Sequence, residues 1–314
     1  MSVDTCLPIH RRIHPSLDCR DSVGVGAHSA YSGRNARRAD GTAVACDPGH
    51  VTDHGIYGPQ SVTWRIHADP AMALGGLRAL MLQALHPLAM AAVSQHSDYR
   101  TDPWGRLRRT AQYIGTVTYG TKAEAERAAA RVRAVHARLS GVEPESGTPY
   151  RVDDPALLRW VHCAEVDSFL TAYLRCGGRL RPREVDAYVA EQVRGAALVG
   201  VPQTDCPASA AELREYFRGI RPLLRATAEA RAALQFILFP PLPPAARPAW
   251  TAVAGTAFGL LPAWARGRYG LLAAHPGAAL AATASGRSLR ALVRLVPDHV
   301  RASPARRAAM ERVG

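Results

Sequence analysis

The 314-residue chain is long enough to bury a substantial core, and 47% apolar with 21% charged residues is globular rather than disordered composition. Its formal charge of +13 does not point to nucleic acid: Lys122 is the only lysine, and the arginines are spread along an Ala/Arg/Pro-rich chain, as a codon-composition bias would leave them. The six cysteines lie far apart, without zinc-type pairs or a disulfide framework, which fits a reducing, cytoplasmic setting.

Residues 1–52 are rich in Gly, Ser, Asp, Arg and His without periodicity and read as a flexible N-terminal arm. Arg11-Arg12 is followed by no apolar stretch and makes no usable export signal. Residues 53–314 read as one multi-helix domain. Asp69-Pro70 opens an apolar run from Ala71 to Val93, but Gly75-Gly76, Arg78, Gln83 and His86-Pro87 would be costly in lipid. A buried helix pair is the expectation there. The apolar stretch 251–265 is too short to span a membrane, and peripheral membrane contact stays open.

Asp102-Pro103-Trp104 repeats the helix-opening device, and Thr121-Lys-Ala-Glu124 is a capping box for a helix closed by Gly141. Asp154-Pro155 opens a helix to about Cys176, and Pro182 opens another to about Val199. Ser209-Ala-Ala-Glu212 is a second capping box, and helical patterns fill roughly 227–239, 246–261 and 284–313. Eight or more helices with short connections predict an all-α fold.

At about 100° per residue, the helix after Asp102 separates into faces. Leu107, Ala111 and Ile114 form a core stripe, and Arg108 with Gln112 a solvated one. Arg106, Thr110, Tyr113 and Val117 form a third face bordered by Arg109. Arginine stems often lie along apolar surface with their heads in water. Here the row ends in Tyr113 and Val117, which suggests an enclosed polar wall, where a guanidinium needs an anionic or strongly polar partner.

His136 follows Val132 by one turn on a stripe that includes Val135 and Leu139, after several alanine-rich turns. It is either a satisfied core histidine or, given the room small residues leave, a ligand for a flat cofactor. His162 and Glu165 share a face of the next helix, and His86 is expected to be buried. No Glu-x-x-His, His-Glu-x-x-His, Gly-x-Ser-x-Gly, P-loop or dinucleotide fingerprint occurs, so di-iron, zinc-protease, hydrolase, NTPase and nicotinamide classes are disfavoured.

Five segments then form an ordered series. They are Asp53-His-Gly-Ile-Tyr-Gly-Pro-Gln-Ser-Val-Thr-Trp64, Gln83-Ala-Leu-His-Pro87, Asp102-Pro-Trp-Gly-Arg-Leu-Arg-Arg-Thr110, Val132-Arg-Ala-Val-His136, and Trp160-Val-His162 through Ser168-Phe169. Together, over roughly residues 53–265, they resemble the bacterial family related to rubber oxygenase (latex clearing protein), which includes the membrane-bound oxygenase of mycophenolic acid biosynthesis. The resemblance implies an all-helical, globin-like core holding one b-type haem. It places Arg106 and Thr110 on the distal side and makes His136 the iron ligand, with His162 as second choice.

Two departures stand out. Arg109 occupies the place of a lysine that can reach the distal iron position in rubber oxygenase, and arginine is a very poor iron ligand. The distal position is then open or water-bound, or Arg109 pairs with a haem propionate. No carboxylate lies near Met90, where rubber-cleaving enzymes carry an acid/base glutamate, which argues against polyisoprene cleavage.

The resulting expectation is a haem-dependent oxygenase or peroxygenase-like oxidoreductase using O2 or peroxide on a small apolar metabolite, as in secondary metabolism. Arg106 stabilises negative charge on bound oxygen, Thr110 hydrogen-bonds it, and His86, Tyr113 and Val117 shape the substrate pocket. The rivals are a non-catalytic helical carrier of haem or lipid, and a structural protein without cofactor.

Overall fold

A computed structural model describes residues 52–270 and 275–314; the arm read at 1–52 lies almost wholly outside them. Residues 51–314 pack as one unit. The elements are α1 (Val62–His67), α2 (Ala71–Gln83), α3 (Pro87–His96), α4 (Pro103–Tyr119), α5 (Lys122–His136), β1 (Ser140–Val142), β2 (Pro149–Arg151), α6 (Pro155–Arg175) and α7 (Pro182–Val199). After these come α8 (Ala210–Ile220), α9 (Ala228–Leu238), α10 (Arg247–Gly259), α11 (Ala263–Tyr269), α12 (Pro276–Arg294), α13 (Asp298–Arg301) and α14 (Pro304–Val313). The fold is all-α, with one two-stranded antiparallel hairpin pairing Ser140 with Arg151 and Val142 with Pro149.

Most helix starts follow from their caps. Asp102 accepts from the Gly105 amide at 2.9 Å, Asp154 from Ala156 at 2.8 Å and Ser209 from Glu212 at 3.2 Å. Thr121 and Glu124 form the reciprocal capping box. At α2 the cap differs: Pro70 takes the capping position, while Asp69 accepts from the Ala71 amide at 2.9 Å and pairs with Arg290 at 2.6 Å. Gly141 does not close α5, which ends at His136; it lies in β1 opposite Tyr150. The pattern read as one helix over 284–313 is three helices, with Pro297 and Pro304 at the breaks.

The antiparallel pair α2 and α6 forms the centre, burying Leu74, Leu77, Met81 and Leu82 against Trp160, Val166 and Phe169. Three polar ties fix its register. Gln83 Nε2 donates to the Val161 carbonyl at 2.9 Å, and Trp160 Nε1 donates to the Gln83 carbonyl at 3.1 Å. Arg78, 2% exposed, pairs with Asp167 at 2.7 Å and donates to Ser168 Oγ at 2.6 Å and the Leu260 carbonyl at 3.0 Å. That network answers how an arginine tolerates the apolar run: its whole fork is engaged.

Helices α2 and α3 bend by 106° across the His86-Pro87 break, and both are largely buried. No single helix among the described residues is long and apolar enough to cross a membrane. Helix α4 packs between α5 and α14, and α5 also meets α7.

Candidate active site

The bend between α2 and α3, the start of α4, the end of α5 and the first turns of α6 enclose a cavity of about 270 Å³, closed on the far side by α9 and α10. That volume lies near the low end for small-molecule sites. Its walls are mostly apolar, including Leu80, Met90, Leu107, Leu157, Val161 and Phe236. Trp104 and Trp250 line it too, their rings edge-to-face with centroids 5.1 Å apart; Trp104 is 43% exposed and stands toward solvent.

Arg106 from α4 and His136 from α5 also line this cavity. Of the other polar lining groups, Gln83 donates to the Val161 carbonyl, Trp250 Nε1 to the Ile237 carbonyl at 2.9 Å, and the Tyr99 oxygen accepts from Arg100 Nε at 2.9 Å. Neither Arg106 nor His136 has a side-chain hydrogen bond or ion pair among the described residues, and His136 Nδ1 is buried without a partner. Among the described residues, no carboxylate lines the cavity.

Burial sets the charge states. Desolvation pulls the Arg106 guanidinium below its ordinary value, opposed by Tyr99, yet arginine stays protonated. Burial also lowers His136, opposed weakly by Asp153. Although His136 ends α5, where a helix dipole favours the imidazolium, burial prevails and favours the neutral ring that a metal ligand requires.

The other residues expected at the site fall elsewhere. Thr110 is exposed, and its hydroxyl donates to the Arg106 carbonyl of its own helix at 3.0 Å. Ala111, read as core, is also exposed. Arg109 is exposed and pairs with Asp102 at 3.0 Å, so its cation serves the helix start. Val117 and Tyr113 pack with Tyr57, Trp64 and Tyr119 in a separate cluster against α14. His86 sits beside Trp160, with ring centroids 6.1 Å apart, and burial pushes it down to about 4. None of Thr110, Arg109, Tyr113, Val117 and His86 lines the cavity, so the expected shared wall with Arg106 is corrected. On α5, Val135 is 55% exposed, and the buried stripe runs instead through Ala125, Ala128 and Ala129.

His162 and Glu165 lie one turn apart on α6, outside that cavity. Both are half-buried, and neither has a hydrogen-bond partner among the described residues. Burial pushes His162 down to about 4 and Glu165 up to about 7. A charge on Glu165 would reach Tyr57, Tyr113 and Tyr188, whose phenols it raises.

Residues such as Tyr99, Phe236 and Trp250 escaped the sequence reading. They are ordinary apolar or aromatic positions on elements far apart in the chain, with no local signal. Trp104, beside the Asp102-Pro103 start, was the one with a usable cue.

For a haem, the test is the chemistry of the donors. Haem iron is commonly held by a neutral histidine, and His136 would offer such an imidazole, with no prior hydrogen bond among the described residues. The unpaired Arg106 suits an anionic group at the same cavity. In donor chemistry the residues fit, with one difference from common metal-bound histidines: nothing among the described residues hydrogen-bonds the His136 ring to orient it. Elsewhere among the described residues, no three His, Cys, Asp or Glu side chains gather closely enough to hold a bare ion.

A family model described as the ER-bound oxygenase mpaB/B'/rubber oxygenase catalytic domain matches residues 64–298. Neither a curated protein nor a solved structure matches the chain.

Proposed function

This chain belongs to the ER-bound oxygenase mpaB/B'/rubber oxygenase catalytic-domain family, and on that premise we propose that it is a haem-dependent oxidoreductase acting on a small apolar metabolite. The observation that carries the reading is the pair Arg106 and His136. They are two uncommitted polar side chains facing one apolar cavity. In this reading the helical core is the globin-like haem mount that the resemblance implies.

His136 would hold the haem iron through its neutral imidazole, at the end of a helix whose Ala125, Ala128 and Ala129 are buried against its neighbours. Bound haem supplies the one-electron and oxygen chemistry that no side chain provides. Arg106 contributes a fixed positive charge beside the reacting space, and the apolar walls exclude water, which strengthens that charge's effect. The hydroxyl of Thr110 is engaged by its own helix, so of the two groups expected on the distal side only Arg106 would face the reacting space. With no carboxylate in the lining, no acid/base glutamate is available there, which supports a substrate other than polyisoprene.

The test is the absorption spectrum of the chain purified with haem supplied. A Soret band with about one haem per chain is expected; its absence ends the haem reading. Oxygen or peroxide consumption that depends on added substrate then separates an enzyme from a haem carrier.

A further inference from the structure

We infer that the ligand of the Arg106 cavity is an apolar molecule carrying a carboxylate, which Arg106 binds while the hydrocarbon body fills the remaining space. This rests on the proposal that the cavity is the substrate site, and it names the substrate class.

The argument begins from an imbalance of charge. A guanidinium held away from water is costly unless an anion or a full set of acceptors meets it. Arg78, buried on α2, shows the usual solution in this same protein, with a carboxylate, a hydroxyl and a carbonyl on its fork. Arg106, only partly covered at the cavity wall, has none of these among the described residues. The groups that act on it are Tyr99, whose oxygen already accepts from Arg100, and another cation, Arg109, whose own carboxylate is Asp102. The cavity lining offers no acid, and the side chains of Gln83 and Trp250 are turned to backbone carbonyls. No described residue supplies the missing partner, and a bound ligand would supply it.

The rest of the cavity specifies that partner. A free inorganic anion would satisfy Arg106 but leave the apolar walls against water. A neutral hydrocarbon would satisfy the walls but leave the cation bare. An apolar carboxylic acid satisfies both, because the planar guanidinium fork matches a carboxylate in bidentate fashion. The Trp104–Trp250 pair, edge-to-face and exposed at Trp104, adds aromatic surface to the wall on the side nearer solvent.

The other source of a carboxylate is a haem propionate, and the experiment separates the two. Binding of decanoate, methyl decanoate and decanol to the full chain is measured by calorimetry near pH 7.5, with and without haem. Decanoate is expected to bind roughly tenfold or more tightly than ester or alcohol, in both forms. Arg106→Gln abolishes that preference, and Arg106→Lys, which keeps the charge without the fork, retains part of it. Equal affinity for acid and ester in the native chain overturns the proposal without reliance on any variant. So does a preference for the acid that disappears once haem is bound, since a propionate then occupies Arg106. A chain without a Soret band that still prefers decanoate sinks the haem reading and leaves the acid site standing.

Discussion

Arg106 and His136 reach one apolar cavity from consecutive helices, and neither has a hydrogen bond or ion pair within the described protein. A buried imidazole nitrogen without a partner costs about 1–3 kcal/mol. His136→Ala removes that cost together with the iron ligand. The variant is therefore expected to lose haem affinity by roughly 100-fold or more, beyond what lost outer partners cause. The melting temperature of the haem-free chain should stay the same or rise. His162→Ala should keep the Soret band. A His136→Ala protein with an unaltered haem spectrum would move the ligand assignment to His162.

Asp167→Ala tests what holds the cavity's frame. It leaves Arg78, 2% exposed, without its counter-charge, though Ser168 and the Leu260 carbonyl remain. Breaking one side of a buried pair costs about 3–5 kcal/mol, and the partial exposure of Asp167 favours the low end. The double variant Arg78→Met/Asp167→Ala should be less destabilised than Asp167→Ala alone, because the orphaned charge is gone. Urea unfolding of the two variants checks the order.

What was legible in the sequence was local. Asp102, Thr121, Asp154 and Ser209 fix helix starts through bonds to amides two or three residues on, so their spacing alone reveals them. Gly141 misled because glycine ends helices and enters strands alike, and a three-residue hairpin strand has too little alternation to be seen. The angular reading of α4 separated its faces but could not say which of them its neighbours cover. Arg106 turned out to face the cavity, while Thr110 and Ala111, on faces also read as inward, lie exposed. That outcome depends on α5 and α14, which pack on α4 from elsewhere in the chain. The cavity itself runs from Leu77 to Trp250, and no periodicity relates such positions.

Glu165 makes a pH prediction with a definite sign. Burial raises its carboxyl from an ordinary 4.5 to about 7. Between those values the folded chain keeps a proton that the unfolded chain has released, so stability falls as pH climbs through this window and stays lower above it. The full loss is about 3 kcal/mol at the conversion of one pKa unit to about 1.4 kcal/mol. Glu165→Gln should therefore stabilise the chain at pH 8 and change it little at pH 5. His67, held down to about 3, and His86 and His162, held down to about 4, act oppositely, since stability is lost as pH falls below 6.5. They contribute equally to both proteins, so the difference between denaturation curves isolates Glu165. A difference independent of pH would show that its carboxyl titrates normally.

Gly75 on α2 tests the closeness of the central helix pair. A Cβ placed there would lie 2.8 Å from Phe169 Cδ1 and 3.2 Å from both the Phe169 Cα and the Ser168 carbonyl oxygen. The ring can turn, but the backbone of α6 cannot yield without parting the helices. In an open helix, Gly→Ala would stabilise by about 1 kcal/mol. Here overpacking of about 1–3 kcal/mol opposes that gain, so Gly75→Ala is expected to lower the melting temperature by several degrees. Gly76, with nothing within 4 Å of its would-be Cβ, is the internal control, and Gly76→Ala should raise it. Because α2 and α6 also carry Leu80, Gln83, Leu157 and Val161 into the cavity wall, parting them would weaken decanoate binding in Gly75→Ala but not in Gly76→Ala. Equal effects of the two substitutions would mean the helices are not held at this distance.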